Sequence, residues 1–342
     1  MMNLKKAKYY LIPALLCLAG IVVIGYYYFF TSFSVLKEKT YIYIDDDDTV
    51  DSVFAKLRPC ASESTMAGLS TLARHYDYAE HIRSGRYAVE PGMNTIDVFR
   101  MLRNGRQEPM MLTIPECRTM DQLAARIAPK LMIDSATIAR ALTSQEFCQS
   151  LGYDTCTIAC MFVPDTYEVY WNTSVERLME RMAREHDNFW TADRKQKANA
   201  AGLTPNEVCT LASIIDEETA NNGEKPMIAG MYLNRLHQGM PLQADPTVKF
   251  AMKNFALKRI YHAFLDIDSP YNTYRRPGLP PGPIKIASVK GIDAVLNYVR
   301  HNYIYMCAKE DFSGTHNFAA SYQEHLRNAD RYAKALNERG VK

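Results

Sequence analysis

The sequence predicts an α+β chain with a single N-terminal transmembrane helix, a small α/β module and a mainly helical domain with short strands. Three observations lead to this fold class. Residues 9–30 form an apolar run, residues 31–112 alternate short strand-like and helical segments, and residues 113–342 carry repeated helical periodicity. We therefore divide the chain at these boundaries and leave residues 1–8 as a separate N-terminal segment.

The apolar run is long enough to cross a bilayer as one helix. Lys5, Lys6 and Lys8 precede it, and the next basic residue is Lys37. The positive-inside bias therefore places residues 1–8 in the cytoplasm and the rest of the chain outside. A cleaved signal peptide is the alternative. The run exceeds a usual signal-peptide core and ends in the bulky Tyr26–Phe30 segment, so the sequence favours an uncleaved anchor.

Residues 31–112 predict a module of short strands and helices. The expected elements are a strand at 41–44, a helix capped by Asp48 or Thr49 and running to Leu57, a helix over 66–76, a strand at 86–89, and a helix from Thr95 to near Gly105. The acidic run 45–48 lacks the spaced ligands and the glycine of an EF-hand loop. We expect it to be an exposed acidic turn.

Helical spacing dominates the larger domain. A loop at 162–167 interrupts its first helices, and Pro164-Asp165-Thr166 is ordinary turn chemistry. Further loops follow at 242–247, 271–274 and 278–282. A helix over 288–301, a strand over 303–307 and a closing helix to Leu336 complete the expected order.

A strong helix-start signal lies at Thr204. Pro205 suits the first helical position, and Glu207 lies three residues after the cap, as in a capping box. Val208, Leu211, Ile215 and Glu218 follow at helical steps, so the apolar face of this helix ends in a carboxylate.

A carboxyl at the edge of an apolar surface is poorly solvated when ionised, which raises its pKa. Such a group suits a general acid that works near neutral pH. Asp216 and Glu217 are expected on the wetter faces of the helix. The alternative is that all three form a solvated acidic helix end, but acidic groups there oppose the helix dipole. A second helix follows the turn at 221–223 and ends at Gly239, which predicts a helical hairpin with the acidic end near its bend.

These residues resemble a known family. The segments LASIIDEET, AGMYLNRLHQGMPLQADPTVKFA and YNTYRRPGLPPGPI are similar to the endolytic murein transglycosylases of the YceG-like family, as are MFVPDTYEVYWNTS and GTHNFAASYQEH. The resemblance implies a YceG-like catalytic domain over 113–342 with Glu218 as its catalytic acid. The chain departs from the family motif at Asp216, where the family has glutamate, and at Glu217, where it has lysine.

Further site residues follow from the resemblance. It implies that Asp165 and Tyr167 lie beside the cleft. Asp245 is the candidate for a second cleft carboxylate, although an aspartate before Pro-Thr is equally a common helix cap. The other expected substrate-binding residues are Gln243, Thr247, Asn272 and Tyr274. The pattern Gly85-Arg86-Tyr87-x-Val89-x-Pro91-Gly92 resembles a LysM-like module, which either contacts N-acetyl sugar polymers or only packs against the rest of the chain.

The resemblance implies a membrane-anchored lytic transglycosylase. It would cut peptidoglycan glycan strands between N-acetylmuramic acid and N-acetylglucosamine, leaving 1,6-anhydromuramyl ends without consuming water. No metal or nucleotide cofactor is implied. The expected partners are the glycan strands, the inner membrane and an unnamed part of the wall-synthesis machinery. Two alternatives stay open: a hydrolase that uses Glu218 with Asp245, and a non-catalytic wall-binding protein.

Other chemistries are not indicated. The net charge of +2 gives no reason to expect nucleic acid as a partner. The sequence has no HExxH, Walker, GxGxxG or GxSxG motif, and His316 has no second histidine at metal-ligand spacing. The eight cysteines include no CxxC pair, and Cys148 with Cys156 or Cys160 is the most plausible local disulfide.

Overall fold

The computed structural model describes residues 4–257 and 260–339. Residues 1–3 of the predicted cytoplasmic segment and the last three residues of the predicted larger domain lie outside this description. The chain divides into two compact units. The first contains residues up to Met111 together with 130–132 and 168–173, and the second contains the remainder.

The structure mixes many helices with short two-stranded sheets. The helices of the described residues are α1 (Leu4–Phe29), α2 (Val50–Leu57), α3 (Glu63–His75), α4 (Thr95–Arg103), α5 (Met120–Ile127), α6 (Ser135–Thr143), α7 (Gln145–Ser150), α8 (Val175–Phe189), α9 (Ala192–Ala200), α10 (Pro205–Glu218), α11 (Lys225–His237), α12 (Asp245–Ala251), α13 (Val289–Leu296) and α14 (Tyr322–Glu338). The strands are β1 (Thr40–Ile44), β2 (Gly85–Val89), β3 (Met110–Thr113), β4 (Thr166–Val169), β5 (Tyr305–Ala308) and β6 (His316–Ala319), paired β1–β2, β3–β4 and β5–β6.

The first unit has its own apolar core under the antiparallel β1–β2 pair. Helix α1 is apolar and solvent-exposed over residues 9–29, a stretch long enough to cross a membrane. Its C-terminal end lies against α3 at Gly68, where an added Cβ would stand 2.4 Å from the carbonyl oxygen of Tyr28. Only glycine allows the two backbones to approach this closely.

The acidic run of the first unit is a turn held by one lysine. Lys56 Nζ contacts the carboxylates of Asp45 and Asp48, and the Ser52 hydroxyl donates to Asp48 at 2.5 Å. Of the two predicted caps of α2, Asp48 and Thr49, the structure has Thr49, which forms a capping box with Ser52. The hydrogen bonds to Lys56 and Ser52 lower the pKa of Asp48 although burial opposes this change. Lys56 therefore offsets part of the acidic charge of this turn, while Asp46 and Asp47 stay exposed.

Helix α10 is the centre of the second unit. Every residue from Val208 to Ile215 is buried, so the helix is packed on all sides rather than along one apolar stripe. Its N-terminus has the predicted capping box, with Thr204 and Glu207 bonded reciprocally. The predicted turn is also present, because Asn221 Oδ1 accepts from the backbone N–H of Gly223. The chain then returns as α11 and forms the expected helical hairpin.

The prediction that Asp216 lies on a wet face is wrong. Its side chain is only 2% exposed and accepts a hydrogen bond from Lys225 Nζ at 2.6 Å. It also accepts from the Ser288 backbone N–H at 2.7 Å and from the Ser288 hydroxyl at 2.8 Å. Asp216 therefore connects the end of α10 to the starts of α11 and α13. Its hydrogen bonds to Lys225 and Ser288 take the place of hydration of the carboxylate.

Two further expectations are corrected by the structure. Helix α13 ends at Leu296 instead of continuing to 301, because the chain leaves the helix and the Val299 N–H donates to the carbonyl of Pro226 on α11. All eight cysteines are free, so the local disulfide of Cys148 is not formed. The Cys148 thiol instead lies 3.5 Å from the carbonyl oxygen of Leu142.

The buried Asp216–Lys225 pair generates a stability prediction. Removing one partner of a buried ion pair leaves an uncompensated charge, which costs about 3–5 kcal/mol. We therefore expect Asp216→Ala to lower the free energy of unfolding by about this amount in urea denaturation of the full chain.

The control removes an aspartate from an exposed pair. Asp193 contacts Lys197 one helical turn away, and both side chains are largely solvated. Asp193→Ala should cost at most about 1 kcal/mol. Equal effects of the two substitutions would contradict the structural role of Asp216.

Candidate active site

Glu218 is the last residue of α10 and stands at the floor of an open cleft of about 370 Å³. The cleft lies within the second unit. Its lining comprises Glu218, Met231, Tyr232, Arg235, Leu242, Gln243, Asp245, Tyr274, Tyr305, Met306, Cys307, Ala308, His316, Tyr322 and His325. These residues come from α10, α11, the 242–245 segment, the 271–274 loop, the β5–β6 pair and α14.

Each carboxylate at the end of α10 has a separate partner. Asp216 is buried against Lys225, whereas Glu217 receives two hydrogen bonds from Arg118, at 3.2 Å and 2.7 Å. Glu218 instead accepts from the hydroxyl of Tyr232 at 2.7 Å. Because Tyr232 is neutral, Glu218 is the only one of the three acids without a hydrogen bond from a cationic side chain.

The surroundings of Glu218 favour its protonated form. Burial raises the pKa of Glu218 to about 7, and repulsion from Asp245 acts in the same direction. The Tyr232 hydrogen bond and the positive character of His316 and Lys249 lower the pKa without cancelling the effect of burial. A carboxylic acid that is still protonated near neutral pH can donate its proton to a substrate. The raised pKa expected from the sequence is thus present.

Asp245 begins α12 and faces the same cleft. Its Oδ1 accepts a hydrogen bond from the hydroxyl of Tyr274 at 2.5 Å. Neighbouring Gln243 has a left-handed backbone with φ of 53° and accepts from the guanidinium of Arg235. This turn of the backbone brings Gln243 and Asp245 to the same wall, together with Tyr274 from another loop. The structure therefore brings four predicted residues together: Glu218, Gln243, Asp245 and Tyr274.

Four other predicted residues do not line this cleft. Thr247 and Asn272 are both 0% exposed. The Thr247 hydroxyl bonds to the Ala244 carbonyl, and the Asn272 amide donates to the carbonyls of Leu265 and Ile267. Both side chains hold loop backbone in place, which leaves them no free group for a substrate.

The cleft lining also excludes Asp165, which directly precedes β4, and Tyr167, which lies within β4. The ring of Tyr167 is buried, and its hydroxyl donates to the Val163 carbonyl at 2.7 Å. Asp165 is exposed and accepts from the backbone N–H of Thr166. The local contacts fit the turn interpretation, and a substrate contact by either residue stays a prediction.

Sequence reasoning missed several cleft residues. We did not predict Tyr232 as a site residue, because in the sequence it is one more apolar position of α11. The pairing of α10 and α11 in a helical hairpin could have placed it opposite Glu218. Tyr305, His316, Tyr322 and His325 come from β5, β6 and α14, whose packing has no local sequence signal. Tyr305 and His325 stack with ring centroids 5.2 Å apart. The cleft therefore has an aromatic wall that only the fold reveals.

Within the described ranges there is no group of three or more His, Cys, Asp or Glu side chains arranged to hold a metal ion.

A model described as the YceG-like family matches residues 42–331, which is most of the chain. The chain belongs to the YceG-like family. This membership agrees with the resemblance found in the motifs around Glu218.

Relatives in the family support the assignment at moderate identity. A Bacillus subtilis protein named endolytic murein transglycosylase is 29% identical over 280 residues, covering 77% of this chain and 77% of the relative. A Streptococcus pneumoniae protein of the same name is 27% identical over 299 residues, and the match covers 78% of this chain but only 53% of that protein. The chain thus spans about half of the pneumococcal relative.

The fold also has a solved counterpart in the family. A crystal structure of a YceG-like protein from Listeria monocytogenes has a TM-score of 0.54 and 26% identity, covering 85% of this chain and 99% of that one. The mixed helical and small-sheet architecture described above is therefore that of a YceG-like protein.

The Tyr232–Glu218 hydrogen bond generates a pH prediction. A carboxyl donates a proton only while it is protonated, so with Glu218 as the acid we expect activity to fall as the pH rises through its pKa of about 7. Tyr232→Phe removes a hydrogen bond that stabilises the carboxylate, so the pKa rises further. We expect the alkaline limb of the kcat–pH profile to move upward by about one pH unit.

Tyr170→Phe is the matched control, because the Tyr170 ring is half exposed and lies outside the cleft lining. That variant should keep the wild-type profile. A downward shift of the limb in Tyr232→Phe would contradict the assigned role of the hydroxyl.

Proposed function

We propose that this protein is a membrane-anchored endolytic lytic transglycosylase. It cuts the bond between N-acetylmuramic acid and N-acetylglucosamine inside peptidoglycan glycan strands and leaves 1,6-anhydromuramyl ends. The observation that carries the proposal is Glu218, a carboxyl with a pKa raised to about 7 on the floor of an open cleft. The names of the Bacillus and Streptococcus relatives supply the substrate class.

The reaction begins with proton transfer from Glu218 to the glycosidic oxygen. The bond from that oxygen to the anomeric carbon of the muramyl residue breaks, and the bonding electrons go to the oxygen. The 6-hydroxyl of the same sugar then forms the new bond to the anomeric carbon. Since this hydroxyl is part of the substrate, it is already close to the carbon that it attacks, and no water is consumed.

The hydroxyl must also lose its proton. Glu218 has become a carboxylate by this point, and a recycled Glu218 is the simplest acceptor. Ordinary glycosidases use two carboxyl groups, one of which activates water or attacks the sugar. An internal hydroxyl removes the need for a dedicated nucleophile, which is why one raised-pKa carboxyl can begin this reaction.

The walls of the cleft supply substrate contacts. Gln243, Asp245 and Tyr274 present an amide, a carboxylate and a phenol to its interior, and Tyr305 and Tyr322 add aromatic rings. Sugars offer hydroxyls for the polar groups and C–H faces for the rings. An open cleft also admits the middle of a strand, which suits cutting at internal bonds.

The proposed activity also suggests roles for the other parts of the chain. Residues 9–30 are the membrane anchor, with residues 1–8 in the cytoplasm and the catalytic domain, 113–342, outside the inner membrane. The module over 31–112 is LysM-like and contacts the glycan. Anchoring keeps the cleft near newly made strands, so the protein acts during wall synthesis beside the synthetic machinery.

A hydrolase is the second candidate, and one observation favours it. Asp245 lies near enough to Glu218 to raise its pKa by charge repulsion, so a water molecule held between two carboxyl groups is conceivable in this cleft. A protein that binds the wall without turnover is the third class. The products distinguish all three.

The experiment is digestion of purified glycan strands by the full-length protein in detergent, with the ends identified by mass spectrometry. The wild type should give anhydromuramyl ends, and Glu218→Gln should lower turnover by about 10²–10⁴-fold because an amide cannot donate the proton.

Glu217→Gln is the matched control, since it makes the same chemical change one residue away, outside the cleft lining. It should keep turnover within a fewfold. Wild-type products that are one water heavier and have reducing ends would indicate a hydrolase instead of a transglycosylase. The Asp245→Asn variant should then no longer form these products. Retained binding without turnover would leave only the wall-binding protein.

A further inference from the structure

His316 and Glu224 form a hydrogen-bonded dyad at the edge of the cleft. His316 begins β6 and is one of the cleft residues, and Glu224 directly precedes α11. Glu224 Oε2 lies 2.9 Å from His316 Nδ1, and Glu224 Oε1 accepts from the backbone N–H of His316 at 2.6 Å. The Glu224 side chain is only 8% exposed. A buried carboxylate thus holds both the main chain and the ring of one histidine.

This contact fixes which ring nitrogen is free. A carboxylate only accepts hydrogen bonds, so Nδ1 of His316 carries the proton and donates it to Glu224. In the neutral ring, Nε2 then has an available lone pair. Among the described residues Nε2 has no hydrogen-bond partner, and the ring lines the cleft that contains Glu218. An imidazolium at His316 would lower the pKa of Glu218.

A carboxylate, a histidine and a free Nε2 form the arrangement that other enzymes use for a general base. The carboxylate orients the ring and stabilises the imidazolium that forms. In the reaction proposed above, the proton of the attacking hydroxyl goes to Glu218, the same group that protonates the leaving oxygen. A recycled Glu218 would have to reach both the leaving oxygen and this hydroxyl.

We propose that His316 is a catalytic residue that takes the proton of the attacking 6-hydroxyl at Nε2, with Glu224 as its positioning residue. This inference rests on the proposed transglycosylase function and refines its second proton transfer. The O–H bond of the hydroxyl breaks, its oxygen bonds to the anomeric carbon, and the departing oxygen leaves with the proton of Glu218. His316 ends as imidazolium and Glu218 as carboxylate. Exchange with water returns both groups to their starting states.

The opposite charges produced by this step stabilise each other across the cleft. The imidazolium is also paired with Glu224, so neither new charge is left without a counter-charge. The dyad therefore suits a reaction in which one group gives a proton while another receives one.

The test measures kcat and KM of full-length His316→Ala on glycan strands, with and without added imidazole. We expect kcat to fall about 10²–10³-fold while KM changes less than about threefold. Imidazole can enter the space left by the ring and accept the proton, so tens of millimolar should restore kcat at least about tenfold. Glu224→Gln should lower kcat without restoration by imidazole, since the histidine is still present.

His237→Ala is the matched control, because this histidine is exposed at the end of α11 and lies outside the cleft lining. It should keep wild-type kcat and show no response to imidazole. His316→Gln gives a second test, since an amide can fill the space and accept hydrogen bonds but cannot take a proton. It should be as slow as His316→Ala while melting at the wild-type temperature.

Three results would overturn the proposal: a His316→Gln variant with wild-type kcat, an effect of His316→Ala on KM alone, or a folded His316→Ala variant whose kcat imidazole does not raise. The wild-type products report separately on the proposed function. Reducing ends in the wild-type products would contradict the transglycosylase function. In that case the imidazole response would still show whether His316 takes a proton, and the proton would come from the attacking water.

Discussion

The site depends on one constraint, the placement of the Glu218 carboxyl at the end of a helix that is buried on every side. Eight consecutive buried residues anchor α10 in the core and place Glu218, its last residue, at the cleft. Ionising Glu218 there would cost solvation, and its hydrogen bond from Tyr232 only partly compensates. The packing of the domain core thereby keeps an acid protonated. Fold and chemistry are connected through the solvation of a single side chain.

The same helix end carries two other carboxylates, and the fold pairs each of them with a cationic side chain. Asp216 is neutralised by Lys225 and Glu217 by Arg118. Without these cations, three negative charges at a helix C-terminus would oppose the helix dipole and raise the pKa of each other. At Glu217 the bidentate contact with Arg118 supplies the positive charge. Glu218 can therefore differ from its neighbours in protonation although it follows them directly in sequence.

The sequence predicted those features that depend on short stretches of chain. Capping residues located α2 and α10, and helical spacing placed Glu218 at the end of an apolar face. Local patterns failed where distant segments meet. Asp216 was expected in solvent because its partner Ser288 lies 72 residues away in the sequence. The contact of His316, in β6, with Glu224 likewise joins residues that are 92 positions apart in the sequence. Thr247 and Asn272 looked like loop residues that bind substrate, yet the fold uses their hydrogen bonds to hold its own backbone.

The most direct test of this account is the titration of Glu218 itself. Glutamate labelled with ¹³C at the δ-carboxyl reports protonation through its NMR shift, and the signal missing from Glu218→Gln identifies the residue. The account predicts a pKa of about 7 for Glu218 in the free protein. A value near the ordinary 4.5 would mean that the carboxyl is ionised at neutral pH. That result would contradict its role as the proton donor.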